Sequence, residues 1–174
     1  MKFYSGFSLK NDNHFFDEYI KDSEYNVCGF SYGAIKAYEE VKKRLKNNHR
    51  VDILQLFSPA FFQTKSEQFK NMQLRAYRKN QDIYLKQFIN SCFFPYELKE
   101  VELSDDTTID ELDELLNYQW DIIGLKELCK QGIKIEIYIG GEDKIVDVTE
   151  VKEFFIEVAD IIYIRNANHF LQIN

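Results

Sequence analysis

The chain has 174 residues, 45% of them hydrophobic and 16% aromatic, which suits one folded domain with a real core and excludes a disordered chain. A net charge of −7 disfavours nonspecific attraction to nucleic acid or to an anionic membrane, and no apolar run approaches the roughly 18 residues a bilayer crossing needs. Cys28, Cys92 and Cys129 are scattered and form no CxxC pair, so they read as reduced core thiols of a cytoplasmic protein, neither a disulfide frame nor a metal site.

The opening "MKFYSGF" begins as a short aromatic strand and lacks the long apolar core of a secretory signal. "NHFFDEYIKD" offers a short helix with Phe15, Phe16 and Tyr19 on one side. "YNVCGF" is a brief apolar strand, and "SYGAIKAYEEVKKRLKNN" is a helix whose basic end suits its dipole. "VDILQLFSPAFF" is a continuous apolar run stopped by Pro59, as expected of a buried parallel strand.

From residue 63 to 131 the pattern turns helical. Phe69, Met72 and Ala76 share one expected face, and Leu85, Phe88, Ile89 and Cys92 share another. Thr108 with Glu111 fits a capping box, and Gly132 is placed to end the last helix of the block. The strand "IKIEIYIGG", a helix through "VTEVKEFFIEVA" and the strand "DIIYIRNA" follow. Strands alternating with helices predict a parallel sheet with helices on both faces. The expected core is 1–62 with 132–174, and the helical block 63–131 is expected to be an insertion folded over one edge of that sheet.

In open α/β sheets, ligands bind beyond the carboxyl ends of the strands. Ser31, Asp143 and His169 all fall at such ends. Ser31 lies in "GFSYG", a G-x-S-x-G pattern. In a sharp strand-to-helix turn the glycines leave room for the backbone, and the serine hydroxyl stands at a helix N-terminus that favours developing negative charge. The order serine, acid, histidine suits a hydrolase in which His169 takes the Ser31 proton while Asp143 fixes the imidazole. Glu142 and Asp147 compete for the acid role; His14 and His49, in polar surroundings, are assigned to solvent. The two oxyanion donors are expected to be the N–H of Tyr32, after the nucleophile, and the N–H of Phe7, after Gly6.

With these residues placed, the chain resembles the α/β-hydrolases, and more narrowly the small pimeloyl-ACP methyl ester esterases of bacterial biotin synthesis, the BioV group. The resemblance runs over the whole chain and rests on "FYSGF", "VCGFSYGAIKA", "LFSPAFF", "GGEDKIVD" and "ANHFL". Ser5 stands where such proteins usually carry a histidine before the first glycine. Asn168 stands where a glycine usually precedes the catalytic histidine, and asparagine tolerates a left-handed turn there. About 19 residues separate Gly6 from the strand before Ser31, too few for an extra strand and helix. The resemblance therefore implies a reduced α/β-hydrolase fold of about five parallel strands, with flanking helices and a helical cap after the third strand.

It also implies a substrate, pimeloyl-ACP methyl ester, cleaved to methanol and pimeloyl-ACP through an acyl-Ser31 intermediate without metal or organic cofactor. Phe7, Tyr32, Phe61 and Phe62 are candidates to line the acyl channel, or else plain core. The partner would be an acidic acyl carrier protein. Arg75, Arg78 and Lys79, spaced i, i+3, i+4 on a helix, form either its docking face or an ordinary solvated one. A thioesterase or general carboxylesterase on the same three residues, and a non-catalytic binding protein of the same fold, are the rival readings.

Overall fold

The computed structural model describes residues 1–174. Its strands are β1 (Lys2–Tyr4), β2 (Leu9–Lys10), β3 (Asn26–Phe30), β4 (Ile53–Phe57), β5 (Glu102–Leu103), β6 (Lys134–Gly140) and β7 (Asp160–Ile164). Its helices are α1 (Tyr32–Lys46), α2 (Glu67–Lys79), α3 (Gln81–Phe93), α4 (Ile109–Asn117), α5 (Ile122–Lys130) and α6 (Val148–Phe155). Five strands form one sheet in the order β1-β3-β4-β6-β7, every neighbouring pair parallel.

That order moves in one direction across the sheet, so crossovers of one hand fall on one face. Ala34, Ile35, Tyr38 and Val41 of α1, Leu125 and Leu128 of α5, and Val151 and Phe155 of α6 accordingly share a core with Val27, Leu54, Leu56, Ile135 and Ile137. The alternate strand residues Cys28, Phe30, Phe57 and Tyr138 face a second layer made with Phe15, Phe16, Phe93, Phe170 and Leu171. Helices thus lie on both faces, but α1, α5 and α6 all pack on the first. The second face is covered by the β1-to-β3 connection, the end of α3 and the closing segment. Because that connection steps in the same direction over the opposite face, its hand is opposite to that of the other crossovers.

The connection itself is tighter than the sequence suggests. Only Asp12–Phe16 is helical, as a 3₁₀ turn entered through Asn11 at φ 59°. Deep on the same face the buried Glu136 carboxylate is held by Lys21, by Lys134 at 2.9 Å, and by the Tyr138 hydroxyl at 3.0 Å. The Gln55 amide donates to it at 3.2 Å.

Between β4 and β6 each helix begins on a side-chain cap. Ser66 accepts from Phe69 N–H, Asn80 from Ile83 N–H, Thr108 from Glu111 N–H and Asp121 from Ile123 N–H. α2 pairs with α3 and α4, while α5 runs back into β6 and ends before Gly132, whose φ is +84°. Two expectations are corrected here. The buried face of α2 carries Lys70, Leu74 and Tyr77, leaving Met72 and Ala76 exposed. Cys129 is exposed, unlike the buried Cys28 and Cys92, although its thiol donates to Val158 O at 3.2 Å. The short antiparallel β2–β5 ribbon has no counterpart in the sequence reading.

Candidate active site

Ser31 sits between β3 and α1 with φ 53° and ψ −115°, a backbone conformation costly for a non-glycine residue. What over-determines it is close packing on either side. A Cβ on Gly29 would lie 2.1 Å from Gly33 O, and one on Gly33 would lie 2.0 Å from Tyr4 O. The Ser31 N–H is held by Phe57 O at 2.9 Å, and Ser31 O accepts from Ala60 N–H at 3.1 Å. The turn therefore stands rigidly over the carboxyl end of the sheet.

Asp143 follows β6 and His169 follows β7, and the fold brings both to Ser31. His169 Nε2 is 3.0 Å from Ser31 Oγ, and His169 Nδ1 is 2.6 Å from Asp143 Oδ2. The His169 and Asp143 side chains have no exposed surface. With its other oxygen Asp143 accepts from Ile145 N–H at 2.7 Å and Val146 N–H at 3.2 Å, which aims the carboxylate at the ring. A carboxylate on Nδ1 fixes the proton there and leaves Nε2 free to accept from the serine hydroxyl. The rival acids are placed elsewhere. Asp147 caps α6 through Thr149 and Glu150 N–H, and Glu142 points to Lys144 at 3.7 Å. His14 and His49 are exposed.

The segment carrying His169 is tied to α3. His169 N–H donates to Cys92 O at 3.2 Å and the Asn168 amide to Phe93 O at 2.9 Å, so the last carbonyls of α3 are satisfied by this segment. Asn168 also exchanges bonds with Gln172, its side-chain oxygen accepting from Gln172 N–H and its own N–H donating to Gln172 O, both at 3.0 Å. Asn168 is thus not the left-handed residue expected from its place in the chain. That conformation falls to Leu171, at φ 58°, and Asn168 serves as a buried hydrogen-bonding clamp. Cys92 lies beside the site. Burial, then the Asp143 charge, push its thiol well up, so it stays a protonated, unreactive group.

Ser31 opens onto a cavity of about 300 Å³ lined mainly by apolar side chains, a small ligand pocket. Phe7 and Phe62 line it. Phe61 does not. Its ring packs on Phe154 and Phe155. The Tyr32 ring is also outside the cavity, buried, with its hydroxyl donating to Glu114 at 2.6 Å. Burial, then that carboxylate, hold the hydroxyl above its ordinary range. The remaining walls come from Leu112, Leu115 and Leu116 of α4, Phe69 and Gln73 of α2, and Lys144 with Ile145. Tyr84, Gln87, Phe88 and Ser91 of α3 complete them. These four recur at i, i+3, i+4 and i+7, a helical face that the sequence held but whose polar members hid it.

Tyr32 begins α1, so its N–H has no acceptor within the helix. The Phe7 N–H donates to no protein acceptor. Arg75, Arg78 and Lys79 are exposed on α2 and make no ion pair, including with the acidic run at 97 to 114. No group of His, Cys, Asp and Glu side chains is arranged to hold a metal ion, and no helix is long and apolar enough to cross a membrane.

No protein-family model and no curated protein matches the sequence. Solved structures do match the fold. An esterase from Exiguobacterium antarcticum superposes with a TM-score of 0.63 at 16% identity, over 82% of this chain and 58% of that one. The chain thus spans little more than half the length of that relative. BioG from Haemophilus influenzae gives 0.57 at 12% identity over 97% of this chain and 87% of its own. A lipase-esterase related protein from Clostridium acetobutylicum gives 0.59 at 16%, over 97% and 86%. With its five parallel strands, the serine turn after β3 and a helical block after β4, the chain has the α/β-hydrolase fold in reduced form.

Proposed function

We propose that the protein is a serine carboxylesterase that hydrolyses the methyl ester of pimeloyl-ACP to pimeloyl-ACP and methanol. The observation that carries the reading is the hydrogen-bonded chain Ser31–His169–Asp143 opening onto an apolar cavity. His169 Nε2 takes the proton as Ser31 Oγ attacks the ester carbon. The resulting oxyanion is received by the N–H groups of Tyr32 and Phe7. Collapse expels methoxide, which takes the proton back from His169 and leaves as methanol. Water, deprotonated by His169, then attacks the acyl-Ser31 carbonyl; collapse breaks the bond to Ser31 Oγ, which takes the proton back from His169 as the acid leaves. Asp143 holds the tautomer and stabilises the imidazolium throughout.

The pimeloyl assignment rests on the sequence resemblance, with support from an apolar cavity suited to a methylene chain. The carrier would stay outside, its arm entering the cavity, and the unpaired Arg75, Arg78 and Lys79 on α2 form a basic face for an acidic partner. Incubation with pimeloyl-ACP methyl ester, its ethyl ester and a short acyl thioester, followed by mass analysis, tests the reading. Release of methanol with the thioester intact is expected. Preferential thioester cleavage would make the protein a thioesterase, and inertness of all three, with Ser31 unlabelled by a fluorophosphonate, would make it a binding protein.

A further inference from the structure

The loop after β1 contains a buried acid that the reaction scheme does not use. Asp12 is 1% exposed, and its Oδ2 accepts the Gly6 N–H at 2.9 Å. Its other oxygen has no partner. Burial pushes the carboxyl up, against the Gly6 amide and then the Ser5 hydroxyl, which hold it down. An acid kept in such surroundings has to serve something local, and what it touches is the residue before the expected oxyanion donor.

The peptide planes show what that contact does. In the Ser5–Gly6 peptide the carbonyl lies against the start of α1, where a Cβ on Gly33 would come within 2.5 Å of Ser5 O. A trans peptide sends its N–H the opposite way, and there Asp12 receives it. In the next peptide Gly6 O accepts from Leu9 N–H at 3.1 Å, so the Phe7 N–H is aimed away from Leu9 and has no protein acceptor. Both planes are pinned, one by a side chain and one by the backbone. Without Asp12 the buried Gly6 N–H is orphaned, and the Ser5–Gly6 plane rotates to find another acceptor. The Gly6–Phe7 plane, hinged to it at Gly6, is then held by the Leu9 N–H alone and loses half of what aims the Phe7 N–H.

We infer that Asp12 is a positioning residue for the oxyanion site: it locks the Ser5–Gly6 peptide so that the Phe7 N–H is presented to the substrate carbonyl oxygen. The role belongs to the carboxylate as an acceptor, not to its charge. The inference rests on the esterase reading, and the two fail differently. If the reading fails, the wild-type protein neither cleaves esters nor takes a fluorophosphonate on Ser31; if only the inference fails, it does both.

The test is steady-state hydrolysis of a small soluble ester by Asp12→Ala and Asp12→Asn, with phosphonylation of Ser31 followed by amide NMR of the wild type. Losing one oxyanion donor outright costs about 10²–10³ in kcat, so a displaced one in Asp12→Ala is expected to cost about 10- to 100-fold, with KM within about twofold. Asp12→Asn keeps an acceptor and is expected to stay within about threefold of wild type. In the wild type, forming the tetrahedral phosphonyl adduct is expected to shift the Phe7 and Tyr32 amide protons downfield together, a readout independent of whether any variant folds. A Phe7 amide that does not move, an Asp12→Ala enzyme with near-normal kcat, or an Asp12→Asn enzyme as impaired as Asp12→Ala would each overturn the inference.

Discussion

A single methyl group is too large at either glycine of the serine turn, and the two sites would fail differently. On Gly29 it would strike the backbone of Gly33 within the turn; on Gly33 it would strike Tyr4 O and Ser5 O, wedging the loop after β1 away from α1. Gly33→Ala is therefore expected to lower stability by about 1–3 kcal/mol, as overpacking does. It should also depress kcat more than tenfold, because a rotated loop loses an oxyanion donor; thermal melts and ester kinetics check both. Ser31→Ala should cost about 10³-fold or more in kcat with the fold unchanged, and His169→Ala the same. Their combination should be little worse than either, since such groups act as a unit; additive losses in ester hydrolysis would show that the two work separately. Asp143→Asn should be severe, because its amide favours the wrong tautomer. Asp147→Asn should leave turnover near normal, asparagine being as good a cap for α6. These residues were legible in the sequence because glycine spacing and strand-end position are local signals. Asp12 and Asn168 were not, since their partners, Gly6 and Phe93, are set by how the chain folds back.

At the scale of elements, the strands and most helices could be read from apolar runs and caps, and the errors have a shared cause. The periodicity of α2 misleads because the helix packs between α3, α4 and the cavity instead of on a deep core. It buries Leu74, Tyr77 and the stem of Lys70, whose ammonium reaches Glu67 at 3.4 Å. Met72 falls on the expected face of Phe69 because it lies one turn on, yet it is exposed. The opposite face of α2 carries Arg75, Arg78 and Lys79, and there the spacing read from the sequence survives. Changing all three to glutamate is expected to weaken hydrolysis of the carrier-bound ester several-fold while a small soluble ester is cleaved as before. Raising salt on the wild type should reproduce the loss, because exposed charge attraction is screened within about 8–10 Å at moderate ionic strength. Equal loss on both substrates would mean that the helices around the cavity had been damaged.

For the whole molecule, parallel strands were readable from the alternation of elements, but the strand order was not, and that order puts the crossover helices on one face. The second face is closed by a short connection and holds an ionic cluster. Burial alone would raise the Glu136 carboxyl, but Lys134, Lys21 and the Tyr138 hydroxyl outweigh it and hold it at about 2, below its ordinary value of 4.5. A group with a depressed folded pKa stabilises above its unfolded value and loses that contribution as pH falls through the folded one. Denaturation at a series of pH values should therefore show stability falling between about pH 4.5 and pH 2, and Glu136→Gln should flatten that limb. The tie between α3 and the His169 segment has a different consequence. One helix both walls the cavity and accepts, through its last carbonyls, the His169 N–H and the Asn168 side-chain amide of the segment that presents the imidazole. A ligand that steadies the last turn of α3 is then expected to steady the His169 segment bonded to it as well. Phosphonylating Ser31 should accordingly slow hydrogen exchange in the final turn of α3.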